Sequence, residues 1–166
     1  WSAFEECALE DIILPAALNT LPERSFIKCN SLKRFVMQEG LQTINGQVFS
    51  ENGSPRGMML SELVIPATVT SIARSAFIGH TGLKTVVFAE GSRLESIATE
   101  VFQDCINLES ISLPAALRNL PARSFSVSTP TGSVVEVQSR LFQGCVSLKR
   151  VDMSACKEIT VLPTKM

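Results

Sequence analysis

Val101-Phe102-Gln103-Asp104-Cys105-Ile106-Asn107-Leu108-Glu109-Ser110-Ile111-Ser112-Leu113-Pro114-Ala115-Ala116-Leu117-Arg118-Asn119-Leu120 is the stretch from which the architecture follows. The alternation Ile111-Ser112-Leu113 puts two side chains on one face of a short strand and one on the other. Pro114 ends that strand because it has no N–H to give to a ladder. Leu117 and Leu120 then supply a second apolar pair, which returns the chain along an opposite wall. At the start of the stretch a small or aliphatic residue precedes Phe102, and Cys105 and Leu108 follow the ring at intervals of three.

The same order recurs along the chain, and a recurrence at a near-constant period fixes architecture before any single residue does. Phe4, Phe26, Phe49, Phe77, Phe102, Phe125 and Phe142 fall in register, separated by 22, 23, 28, 25, 23 and 17 residues. Cys7, Cys29, Cys105 and Cys145 stand three residues after their phenylalanines, and His80 takes that slot after Phe77. Strand segments recur at Leu32 to Met37, Leu60 to Pro66, Leu83 to Phe88 and Leu148 to Met153. The second pair recurs as Leu18 and Leu21, Leu41 and Ile44, Val69 and Ile72, Leu94 and Ile97, Val134 and Val137, and Ile159 and Leu162.

A unit of this size cannot bury its own apolar face, so coils must stack, each leucine and phenylalanine on its counterpart in the next coil. Burial of one such side chain contributes about 1.5–3 kcal/mol, so several per coil offset the entropy of ordering it. The expected fold is a solenoid of right-handed coils with one parallel β-sheet, short second strands or turns on the opposite wall, and short helical turns at the phenylalanines. It spans residues 1–166 in about seven coils, with loop insertions at 50–59 and 126–133. The sixth unit, only 17 residues long, reads Ser126-Val127-Ser128-Thr129-Pro130-Thr131-Gly132-Ser133 where the cysteine and strand leucine belong. Sheet continuity is therefore expected to fail near 126–136. Both insertions follow a repeat phenylalanine and are expected to leave the solenoid by the same edge.

The pattern small residue-Phe-x-x-Cys-x-x-Leu-x-x-Ile-x-Leu-Pro-x-x-Leu-x-x-Ile resembles the BspA-like leucine-rich repeat, and the resemblance covers nearly the whole chain. It implies a leucine-rich repeat solenoid with no catalytic motif to carry over. It also implies an association with adhesion to host proteins or other cells, on the surfaces of oral and gut bacteria and of microbial eukaryotes. Fold analogy alone is a weak warrant for function.

Composition narrows the function classes. The 166 residues are 45% hydrophobic and 19% charged, which is a globular balance. A formal charge of -1 and a pI near 5.9 argue against nucleic acid as the main partner. No apolar run approaches the roughly 20 residues of a membrane-spanning helix, and the N-terminal residues lack the pattern of a signal peptide. The chain is therefore expected to be soluble, without direct membrane insertion, any address signal lying outside it. With one histidine, no tyrosine and no glycine-rich fingerprint, neither an enzyme nor a cofactor is expected.

The cysteines read as small buried hydrophobes with inert thiols, since a ladder sets them in a line and not around a point as zinc ligands must be. A disulfide between neighbours Cys7 and Cys29 is sterically open. The free thiols favour a reducing compartment, against the surface location that the resemblance implies. His80 reads as a partly buried ring hydrogen-bonded in a turn, and Asn52-Gly53-Ser54 as a turn more than a glycosylation site.

The strand positions that cannot face the core form the candidate site, because alternation sends the residue between Ile and Leu onto the open face. In chain order these are Ile13, Val36, Val64, Val87, Ser112 and Asp152, the first four an apolar stripe. Beside it runs a mixed column of Asp11, Arg34, Glu62, Thr85, Ser110 and Arg150. An apolar centre with a polar rim suits a protein partner, and Ile13, Val36, Val64, Val87, Arg34, Glu62 and Arg150 are the residues expected to carry binding. The alternative is that β-branched residues favour strands wherever they lie.

Neither end shows a polar cap, which a free-standing solenoid normally needs. The chain is thus expected to be an excerpt of a longer protein, or to stack end to end on neighbouring subunits. Two roles follow. One is a noncatalytic protein-protein interaction module or scaffold inside a larger assembly. The other is a cell-surface adhesin or host-protein recognition module.

Overall fold

The computed structural model describes residues 3–49, 60–118, 120, 125–128, 134–137, 140–157 and 159. Each coil turns its corners by one device, a backbone N–H that reaches the carbonyl three residues back. Leu18 bonds Pro15, Leu41 bonds Gln38, Val69 bonds Pro66 and Leu117 bonds Pro114, which bends the chain from the front strand to the rear wall. Cys29 bonds Phe26 and Leu32 bonds Cys29, and the same two bonds recur at Phe102-Cys105-Leu108 and Phe142-Cys145-Leu148. The expected helical turns at the phenylalanines are thus single turns. Among the described residues one is a 3₁₀-helix, Arg140–Phe142.

The strands between corners are short. They run in chain order as β1 (Asp11–Ile13), β2 (Thr20–Leu21), β3 (Arg34–Val36), β4 (Thr43–Ile44), β5 (Glu62–Ile65), β6 (Ser71–Ile72), β7 (Thr85–Phe88), β8 (Ser96–Ile97), β9 (Ser110–Ser112), β10 (Phe125–Ser128), β11 (Val134–Val137) and β12 (Arg150–Asp152). The rear wall is a continuous parallel sheet, β2-β4-β6-β8, whose second residues Leu21, Ile44, Ile72 and Ile97 are buried. The front wall is parallel too. It is not the single sheet expected from the sequence, because β1 pairs β3 and β5-β7-β9-β12 form a separate sheet. The seam between β3 and β5 lies at the coil that carries residues 50–59, which fall outside the described residues.

The core between the walls is a set of ladders. Phe4, Phe26, Phe49, Phe77, Phe102 and Phe142 follow one another at ring-centroid distances of 5.1, 5.8, 6.1, 5.8 and 5.9 Å. Such aromatic pairs contribute about 0.5–1.5 kcal/mol beyond the area they bury. Phe35 meets Phe26 and Phe49 edge-on at 5.2 and 4.9 Å, filling the core beneath the seam. Leu32, Leu60, Leu83, Leu108 and Leu148 make a second buried ladder.

The register is corrected at Phe125. The ring that follows Phe102 is Phe142, and Phe125 instead opens β10, which pairs antiparallel with β11 in a hairpin with Phe125 opposite Val137. Its interval to Phe142 is too short for a coil that needs about 23 residues, and β-branched runs on both sides of Thr129-Pro130-Thr131-Gly132-Ser133 favour a hairpin. Val134 and Val137 are therefore hairpin residues and not a rear-wall pair. The second insertion precedes its ladder phenylalanine instead of following one. β9 pairs directly with β12, Arg150 opposite Ser110, so the front sheet runs on without interruption and the hairpin stands outside it.

Candidate functional site

The open face of the front wall carries the residues picked out in the sequence. Ile13 is 56% exposed and pairs in register with half-buried Val36. Val64 and Val87, 46% and 40% exposed, pair with each other on β5 and β7. The seam falls between the two couples, so the stripe is two separate apolar pairs. Ser112 and Asp152 continue the same line on β9 and β12. The intervening residues Phe35, Leu63, Val86 and Ile111 are buried, which is why the exposed ones must face outward.

The polar column beside the stripe is largely self-neutralised. Arg34 donates to both carboxylate oxygens of Asp11, at 3.0 and 3.3 Å. Arg150 turns along its own strand to Asp152 at 2.6 Å. Hydrogen bonds from Ser154, reinforced by Arg150, hold the Asp152 carboxyl down at about 2. Glu62 is exposed opposite Thr85. A further column stands one residue earlier in every unit, and the sequence reading did not use it: Glu10, Lys33, Ser61, Lys84, Glu109 and Lys149. There Lys33 reaches Glu10 at 2.9 Å and Lys149 reaches Glu109 at 3.8 Å. The repeat pattern could have exposed it, since each member precedes its front strand by one position.

The phenylalanine edge holds the other polar cluster. Arg74 grips the buried Glu100 carboxylate with Nε and Nη2 at 2.9 and 3.0 Å, Ser75 Oγ donates at 3.0 Å, and Arg140 Nη1 adds 3.3 Å. These donors, Arg74 foremost, keep the Glu100 carboxyl below the usual carboxylate range. Arg24, Gln47, Ser75 and Glu100, each two residues before a ladder phenylalanine, have positive φ. The Ser75–Glu100 hydrogen bond thus ties together two backbone turns that L-residues rarely adopt. It lines an open depression shared with Glu23 and Asp104, where both signs of charge mix.

Burial holds the Cys29, Cys105, Cys145 and Cys156 thiols and the His80 imidazole in their neutral forms. All five cysteines are free, Cys7 half-buried and the others buried. Burial pushes the Cys105 thiol well up and the Cys145 thiol to about 12, so neither is a nucleophile at neutral pH. His80 is fully buried, more than the sequence suggested. Its Nδ1 lies 3.0 Å from the Phe77 carbonyl, which makes Nδ1 the protonated nitrogen, and Nε2 has no hydrogen-bond partner. Burial lowers its pKa to about 4. Among the described residues no group of His, Cys, Asp and Glu is arranged to hold a metal ion, and no helix is long and apolar enough to cross a membrane.

A family model for the BspA type leucine rich repeat region matches residues 1–55 and 56–164, in six copies. Among solved structures, the chain is similar to the leucine-rich repeat protein TpLRR of T. pallidum, at 26% identity and a TM-score of 0.70, over 91% of this chain and 60% of that one. It is also similar to the pneumococcal vaccine antigen PcpA, at 26% identity and a TM-score of 0.66, over 86% of this chain and 30% of that one. A leucine-rich repeat protein from Bacteroides ovatus shares the fold, at 20% identity and a TM-score of 0.51 over 92% of this chain and 40% of its own. The chain thus spans less than two thirds of the length of these structures. No curated protein matches.

Proposed function

Because the chain belongs to the BspA-type leucine-rich repeat family, whose fold generally serves noncatalytic protein interaction, we propose that it is a protein-protein interaction module that binds its partner through the open face of the front sheet. The observation that carries this reading is the Val64 and Val87 pair, apolar, adjacent and exposed near the middle of the front wall. Ile13 and Val36 extend the apolar contact, and Arg34, Glu62 and Arg150 supply its polar rim. Aliphatic side chains held on a preformed surface lose little entropy on binding, while the rim excludes water and sets orientation.

The test is a variant carrying Val64→Lys and Val87→Lys, compared with the parent in affinity capture from source cells. Both positions are exposed, so the variant should unfold within about 1 kcal/mol of the parent. A stoichiometric partner held by the parent and lost by the folded variant is the expected result. Equal recovery by both would remove the face from consideration.

A second reading is a cell-surface adhesin or host-protein recognition module, favoured by the likeness to the pneumococcal vaccine antigen. In that case the partners recovered are extracellular or host surface proteins, bound through the same face.

A further inference from the structure

Away from Glu62 and Lys84, the charges described on the front wall are paired, between coils or, for Arg150 and Asp152, along one strand. Glu10 is bound by Lys33, Asp11 by Arg34, Glu109 by Lys149 and Asp152 by Arg150. Glu62 and Lys84 stand in the same two columns, and among the described residues neither side chain has an ion pair or hydrogen bond. The reason is visible in the register. Glu62 faces Thr85 across the β5–β7 ladder, and Lys84 stands between Ser61, whose carbonyl accepts its N–H at 2.8 Å, and Glu109, whose N–H bonds the Lys84 carbonyl at 3.3 Å. Glu62 thus meets a neutral hydroxyl where Asp11 meets Arg34, and the carboxylate beside Lys84 is drawn to Lys149 on the next coil.

These two charges adjoin the most exposed apolar pair of the sheet. Glu62 shares a strand face with Val64 two residues on, and the exposed Lys84 stands just before β7, three residues from Val87. We infer, resting on the interaction-module reading above, that this centre is the specificity site of the face. Its occupant is a segment of a partner protein that presents an apolar side chain to Val64 and Val87 together with a basic group to Glu62 and an acidic group to Lys84. The charges on either side are already partnered, so they offer less to a segment that brings a single charge. Complementary charge around an apolar contact fixes register and rejects wrong partners more than it adds raw affinity.

A phage-displayed library of random linear peptides, panned on the whole chain, supplies the probe. Enriched clones are expected to combine an apolar residue with at least one basic and one acidic residue. For the strongest clone, Glu62→Lys and Lys84→Glu should each weaken binding about tenfold or more, an effect shrinking as salt is raised. Reversing the matching charge in the peptide should restore binding to the corresponding variant. Clones without charge preference, no enrichment at all, or binding to both variants within about twofold of the parent overturns the inference. The Val64→Lys, Val87→Lys variant separates the two readings. If it loses the clone while Glu62→Lys and Lys84→Glu keep it, the face binds but these charges do not select. If it keeps the clone as well, the face reading fails with the inference.

Discussion

The Cys145 thiol donates a hydrogen bond at 3.0 Å to the carbonyl of Phe102, one coil earlier in the stack. Cys29 makes the same bond to Phe4 at 2.8 Å and Cys105 to Phe77 at 3.4 Å. The cysteine slot is therefore a coil-to-coil fastener. It uses a small residue that fills an apolar corner and still satisfies a buried carbonyl.

Native thiol chemistry should reflect that placement. Cys7 is half-buried, whereas Cys29, Cys105, Cys145 and Cys156 are buried and have raised thiol pKa values. With a maleimide at neutral pH, peptide mapping should find Cys7 labelled well before the other four, which should react only on unfolding. Equal labelling rates for Cys7 and Cys145 in the folded protein would contradict the fastener.

His80 should make the solenoid acid-sensitive. Its folded pKa of about 4 lies below the ordinary value of 6.5, so the unfolded chain binds the extra proton between those limits. Stability from this residue is fully present above about pH 6.5 and is lost as pH falls toward 4, by about 2 kcal/mol between pH 7 and pH 5. Urea unfolding at the two pH values measures the loss. His80→Cys, which restores the residue found elsewhere in the slot, should remove most of it. An equal pH dependence in that variant would show that another group titrates.

Coil spacing should be tested by two glycines with positive φ. A Cβ at Gly40 would stand 2.5 Å from the Ala16 carbonyl oxygen of the previous coil, whereas a Cβ at Gly91 meets nothing within 4 Å. Gly91→Ala should therefore cost only the left-handed backbone conformation, about 1 kcal/mol. Gly40→Ala adds a backbone clash that can be relieved only by parting the coils, and should cost about 3 kcal/mol or more. Denaturant midpoints of the two variants give the comparison, and similar values would mean that the coils part freely.

Much of the solenoid was legible in the sequence because its interactions repeat. Phe26, Phe49, Phe77 and Phe102 occupy the same corner of successive coils, so one reading of Val101 to Leu120 serves for most of the others. The outward direction of Ile13, Val64 and Val87 followed from strand alternation alone, and their exposure agrees. Phe125 was misread because a local match to the repeat is also compatible with a hairpin. Only the longer-range competition for the place above Phe102, taken by Phe142, decides between them.

Sequence alone thus determined the stacked parallel architecture, the ladders of Phe, Cys and Leu, and the face on which the valines stand, since all of these follow from a period and an alternation. Tertiary structure decided where the front sheet divides, which phenylalanine continues the stack, and how deeply His80 is buried. It also decided that Arg34 and Arg150 are already paired while Glu62 and Lys84 are not. Those outcomes depend on which side chains of neighbouring coils meet across a few ångströms, and a one-dimensional pattern carries the period of the coils without the register between them.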